Sequence, residues 1–96
     1  MTSTDLAADA VGLLQRLIAF DTVNPPGKEL PAQEHLEILL AGAGFECELL
    51  GARPERPNLV ARLRSRNADP AHPGPTLCYL GHVDTVLADP SEWRRD

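Results

Sequence analysis

No stretch of this sequence approaches the roughly 20 consecutive apolar residues that a membrane-spanning helix requires, so no such helix is expected. The first residues, Met1-Thr2-Ser3-Thr4-Asp5, lack the basic region and apolar core of a secretory signal. Positive charge is scarce, with 9 Lys and Arg against 14 Asp and Glu and a net charge of −5. That balance gives no basic stripe for nucleic acid and no attraction to anionic membrane surfaces. Cysteine is limited to Cys47 and Cys78, both in apolar, strand-like segments where a free thiol behaves as a small hydrophobe. These features point to a reducing cytoplasm, although a disulfide between the two stays open on sequence grounds. Aromatic residues make up only 4% of the chain, and neither an internal repeat nor a low-complexity tract is present. One small domain with modest burial is what 96 residues allow.

What the chain does contain is ordered amphipathic pattern. From about Asp5 to Ala19, the positions Leu6, Ala10, Leu13, Leu14 and Leu17 trace one helical face. Thr4 or Asp5 suits its cap, and Gly12 weakens it slightly. The segment Phe20 to Lys28 contains Asn24-Pro25-Pro26-Gly27, a stiff connection ending in a glycine turn. A second helix is predicted from near Glu29 or Leu30 to Ala43, facing inward through Ala32, Leu36, Leu39, Leu40 and Ala43. Pro31 fits its first turn and Gly44 the left-handed position beyond its end. His35 falls among glutamates and reads as exposed.

Phe45 to Leu50 alternates apolar and acidic residues, as a half-buried strand does. Gly51 to Pro57 is a loop, and Asn58 to Arg64 a second strand whose short connection predicts an antiparallel pair. Arg62 and Arg64 read as a solvated strand face. Ser65 to Gly74 is a loop, with His72 exposed between Ala71 and Pro73.

The stretch Thr76-Leu77-Cys78-Tyr79-Leu80-Gly81-His82-Val83-Asp84-Thr85-Val86 organises the rest. Its apolar beginning, between turn-formers, predicts a third, buried strand. Just past such a strand is where open α/β sheets bind ligands. In extended backbone, His82 and Asp84 share a side. The carboxylate can then fix the imidazole tautomer and free the other ring nitrogen for a metal. Taken alone, His-x-Asp is better read as a strand-end loop with two solvated side chains.

With the elements in this order, the chain resembles the N-terminal part of the co-catalytic zinc aminoacylase and carboxypeptidase family. That family includes acetylornithine deacetylases, succinyl-diaminopimelate desuccinylases, aminoacylases and glutamate carboxypeptidases. The likeness runs from Leu13 to Trp93. It is carried by Leu80-Gly81-His82-Val83-Asp84-Thr85-Val86 and by Phe20-Asp21-Thr22-Val23-Asn24-Pro25-Pro26-Gly27. The resemblance implies an α/β fold: the helix-helix-strand-strand-strand portion of a zinc-exopeptidase-like mixed-sheet catalytic domain, three-layer α/β/α in the full family. It implies that His82 ligates one of two zinc ions, with cobalt or manganese as possible replacements. Asp84 is then the catalytic-site carboxylate that orients His82. The substrate implied is a small N-acyl amino acid or short peptide, cleaved at an amide bond by metal-activated water.

The family's Gly-Arg-Gly…Asp-Met-Lys segment and Glu-Glu pair are missing, and with them the general base and the remaining ligands. A catalytic zinc commonly takes three protein ligands, and Cys47, Cys78, His35 and His72 are not at the family's ligand positions. Residues 1–96 therefore read as a partial metallohydrolase catalytic domain, inactive alone and prone to self-association through an exposed sheet edge. The alternative is a non-catalytic binding or assembly module that keeps these layers. A different hydrolase with a His-x-His-x-Asp set is disfavoured, because position 80 is leucine.

Overall fold

The computed structural model describes residues 8–66 and 69–94, and within them two helices and one two-stranded sheet. Helix α1 spans Ala10–Ile18. The cap and first turn predicted at residues 4–7 lie outside the described residues. Asp9, at the N-cap, makes no capping bond; its carboxylate pairs instead with Arg16, one helical face along, at 3.0 Å. Of the predicted inward face, Leu13 and Leu17 are half-buried, whereas Ala10 and Leu14 stay exposed along with Val11 and Ile18.

Helix α2, Leu30–Gly42, carries its proline in the first turn, where no intrahelical N–H is lost. Gly44 follows at φ +99°, the left-handed conformation that a side chain disfavours. Ala32 is buried, and Leu36, Leu39, Leu40 and Ala43 are half-buried, so the predicted face is the one that packs on the sheet. His35 departs from expectation. Its ring lies 5.6 Å from that of Phe20, it is half-buried, and its Nε2 is buried without a hydrogen-bond partner among the described residues. The turn leading out of α1 brings Phe20 over it, a tertiary contact that helical periodicity does not encode.

Strand β1, Glu46–Leu50, pairs antiparallel with β2, Asn58–Arg62, in the register Glu46↔Arg62, Glu48↔Val60 and Leu50↔Asn58. Cys47 and Leu49 turn toward α2 while the glutamates face solvent, as the alternation required. Arg62 lies 3.7 Å from Glu48 and Arg64 3.6 Å from Glu46, which makes that side a charge-paired outer face. The second strand ends two residues earlier than predicted, and Leu63 is exposed.

The third strand does not form. Residues 76–80 add no rung to the sheet, and Leu77, Tyr79 and Leu80 are 76%, 89% and 98% exposed. A strand needs a ladder partner, and among the described residues this run has none. The sheet is therefore β1-β2 only, and the expected three-strand arrangement is corrected to two. Cys78, expected in an apolar strand, is accordingly exposed; Cys47 is half-buried, and both thiols are free. The last element is a 3₁₀ turn, Pro90–Glu92, capped by Asp89, which accepts from the Ser91 backbone N–H at 2.9 Å.

With one helix covering one face of two strands, the fold is extended. Its radius of gyration is 16.3 Å, against about 12.5 Å for a compact chain of this length.

Candidate functional site

The corner at residues 81–85 is held by backbone from sixty residues earlier. Thr85 donates its N–H to the Thr22 carbonyl at 3.0 Å, and Asn24 donates its N–H to the Thr85 carbonyl at 2.8 Å. These bonds make Val23↔Thr85 an isolated parallel bridge. Thr22, itself buried, donates its hydroxyl to the Val83 carbonyl at 2.7 Å. The Asn-Pro-Pro-Gly segment, a plain connection by its local sequence, is thus the clamp for the second motif.

Within that clamp, His82 Nδ1 stands 3.0 Å from Asp84 Oδ1 and 3.0 Å from the Asp84 backbone carbonyl. Both partners are acceptors, so in the neutral ring Nδ1 carries the proton and Nε2 keeps its lone pair. The imidazole is 84% exposed. The two side chains face each other as their spacing predicted, and the ring does not turn into the hydrocarbon core.

Asp84 is 34% exposed and has further partners. Its Oδ2 accepts from Asn24 Nδ2 at 3.2 Å, and Arg56 Nη2 lies 3.9 Å away. The Asn24 hydrogen bond, followed by that from His82, holds the Asp84 carboxyl below its ordinary value of 3.8. Arg56 is anchored by Glu29, whose oxygens lie 3.1 and 3.0 Å from its Nε. Glu29 is 7% exposed, and a buried carboxylate needs such a partner. The hydrogen bond to Glu29 is also the main cause that raises the Arg56 guanidinium above its ordinary value.

The loop carrying Arg56 is tied to α2 twice. Leu30 donates its N–H to the Glu55 carbonyl at 3.2 Å, and Gln33 donates from Nε2 to the Pro57 carbonyl at 3.3 Å. Between this loop, the start of α2 and the His82 corner lies an open cleft of about 410 Å³. Beside His82 and Asp84, the residues expected from the sequence, the fold gathers Thr22, Asn24, Glu29 and Arg56, which were not expected there. Asn24 stood inside a quoted motif. For Arg56, 28 residues before Asp84 in a polar loop, no local signal exists.

Asp69, Asp89 and Glu55 are likewise held below their ordinary values, chiefly by backbone hydrogen bonds. A carboxyl depressed in the folded state stabilises it above the unfolded value, and that contribution is lost as pH falls through the folded one. Urea unfolding midpoints should therefore be flat from pH 7 to about 5 and fall below about 4. Midpoints that rise on acidification would contradict this charge arrangement.

Among the described residues, no three His, Cys, Asp or Glu side chains converge where they could hold a metal ion. His35 lies against Phe20, and exposed His72 pairs with Asp69 at 3.2 Å. Neither joins His82, and neither do Cys47 and Cys78. Among the described residues, no helix is long and apolar enough to cross a membrane.

Three relatives frame this geometry, and each carries the name succinyl-diaminopimelate desuccinylase. The protein of Wolbachia pipientis subsp. Culex pipiens is 37% identical over 78 residues, 81% of this chain and 17% of its own length. That of Cereibacter sphaeroides is 35% identical over 89 residues, 92% of this chain and 21% of its own. That of Ehrlichia canis is 29% identical over 92 residues, 95% of this chain and 23% of its own. The chain thus spans between 17% and 23% of the length of these curated relatives. No family model matches the chain. No solved structure matches it either.

Proposed function

The chain belongs to the succinyl-diaminopimelate desuccinylase family, and from that premise we propose that it supplies one metal-gripping edge of a zinc-dependent amide hydrolase. In this reading residues 1–96 are part of a catalytic domain. His82 contributes its Nε2 to one of two zinc ions, and Asp84 holds the ring in the tautomer that leaves Nε2 unprotonated. When bound, the metal pair supplies an activated water and polarises the scissile carbonyl. The chain's own residues bind, orient and exclude. Asn24 and the Thr22–Thr85 backbone bonds fix the corner, and the cleft beside it receives the acyl amino acid, with a succinylated amine as the substrate class the relatives' names suggest.

The observation that carries the reading is the pair of acceptors facing His82 Nδ1, each at 3.0 Å. A merely solvated histidine needs neither. A non-catalytic assembly module would also keep the two-helix, two-strand layer, but nothing in such a role calls for a tautomer fixed at an exposed ring.

The test is a graft in which this chain replaces the matched stretch of the Wolbachia protein. The graft is expected to hydrolyse N-succinyl-diaminopimelate and to lose that activity on zinc removal, while the 96 residues alone show no turnover. A folded, zinc-supplied graft without turnover would reject the proposal in favour of the assembly module.

A further inference from the structure

Among the described residues, Glu29 is the buried charged side chain that the proposed reaction leaves without a task. It is buried at the start of α2, and it meets Arg56 from a loop 27 residues further along. Space has been cleared for the pair. Gly27 is buried at φ +76°, and a Cβ there would stand 2.5 Å from both Arg56 Nε and Glu29 Oε1. Anchoring the loop does not by itself explain this. The Leu30 and Gln33 hydrogen bonds already fasten the loop to α2. What the pair adds is direction: Glu29 occupies Arg56 Nε, and Nη2 is the atom turned to Asp84, 3.9 Å from Oδ2.

The same Oδ2 accepts from Asn24 at 3.2 Å, so the cationic and amide partners of Asp84 converge on one oxygen. The other oxygen, Oδ1, is the one that faces His82 Nδ1. We propose that Arg56, steered by Glu29, and Asn24 are positioning residues that divide the Asp84 carboxylate: they engage Oδ2 and thereby reserve Oδ1 for His82. This rests on the reading of His82 as a ligand, because its purpose is to keep Nε2 unprotonated and aimed. Its consequence is nevertheless visible without metal. A carboxylate free to rotate offers His82 a less constant acceptor, and the ring then samples both neutral tautomers.

The experiment is long-range proton–nitrogen NMR of the full chain labelled with ¹⁵N-histidine, recorded at rising pH until the imidazole signals stop changing, with no metal added. Unaltered chain should show His82 as a single Nδ1–H tautomer. Asn24→Ala and Arg56→Met should each shift it to a mixture, and Arg56→Lys should return it toward the unaltered pattern. The His35 and His72 signals should not move. An unchanged His82 tautomer in folded Asn24→Ala and Arg56→Met would overturn the inference. Should Arg56→Met fail to fold, Asn24→Ala, at an exposed side chain, decides alone. A tautomer shift together with a graft that takes up no zinc removes the ligand reading and keeps this one. Zinc uptake with an unmoved tautomer does the reverse.

Discussion

His82→Ala in the graft with the Wolbachia protein is expected to remove metal-dependent hydrolysis, with zinc uptake by calorimetry reduced by one ion per active site. The substitution deletes the imidazole whose Nδ1 proton is shared between Asp84 Oδ1 and the Asp84 carbonyl, each at 3.0 Å. Among the described residues the other two histidines do not take its place, because His35 is held against Phe20 and His72 pairs with Asp69. Asp84→Ala should be milder and different in kind. It leaves the ligand in place but removes the carboxylate that orients it, and losses of this type run about 10- to 100-fold in metal affinity. The order His82→Ala worse than Asp84→Ala is the diagnostic result. Equal effects would mean that Asp84 does more than orient the ring. Full activity in His82→Ala would exclude the ring as a ligand.

Gly27→Ala is expected to be the most damaging single-methyl change in the chain. Two costs combine at this position. At φ +76° a side chain enters the left-handed region, which costs about 1–2 kcal/mol. The new Cβ would also displace the Arg56–Glu29 contact, since it would lie 2.5 Å from both partners. Gly44→Ala provides the control. It carries the backbone cost at φ +99°, yet a Cβ there meets nothing within 4 Å. Thermal melts should place Gly27→Ala below Gly44→Ala. A fall of about 4–8 °C accompanies each kcal/mol in a domain of this size, so the collision can be read as the difference between the two variants. Equal melting temperatures would show that the Glu29–Arg56 pair moves aside freely, which would also weaken its claim to steer Asp84.

The second expectation rests on a contact between segments far apart in the chain, and that is where reading a sequence and seeing a fold part company. Periodicity was enough for α2 and β1. Ala32, Leu36, Leu39 and Leu40 mark the face that packs, and Cys47 and Leu49 alternate with outward glutamates, because both patterns are local consequences of 3.6- and 2-residue repeats. The His82–Asp84 pairing was legible for the same reason, since two residues with a single residue between them need no distant partner to meet. Tertiary structure alone decided the rest. Whether Leu77 to Leu80 became a strand depended on a ladder partner, and none is present among the described residues. His35 was drawn inward by Phe20, not by its own helix. Asn24 and Arg56 came to flank Asp84, with Glu29 holding Arg56, because backbone bonds between Thr22 and Thr85 and between Leu30 and Glu55 bring three separate segments together. Local sequence encodes which side chains share a face; only the folded chain determines which faces meet.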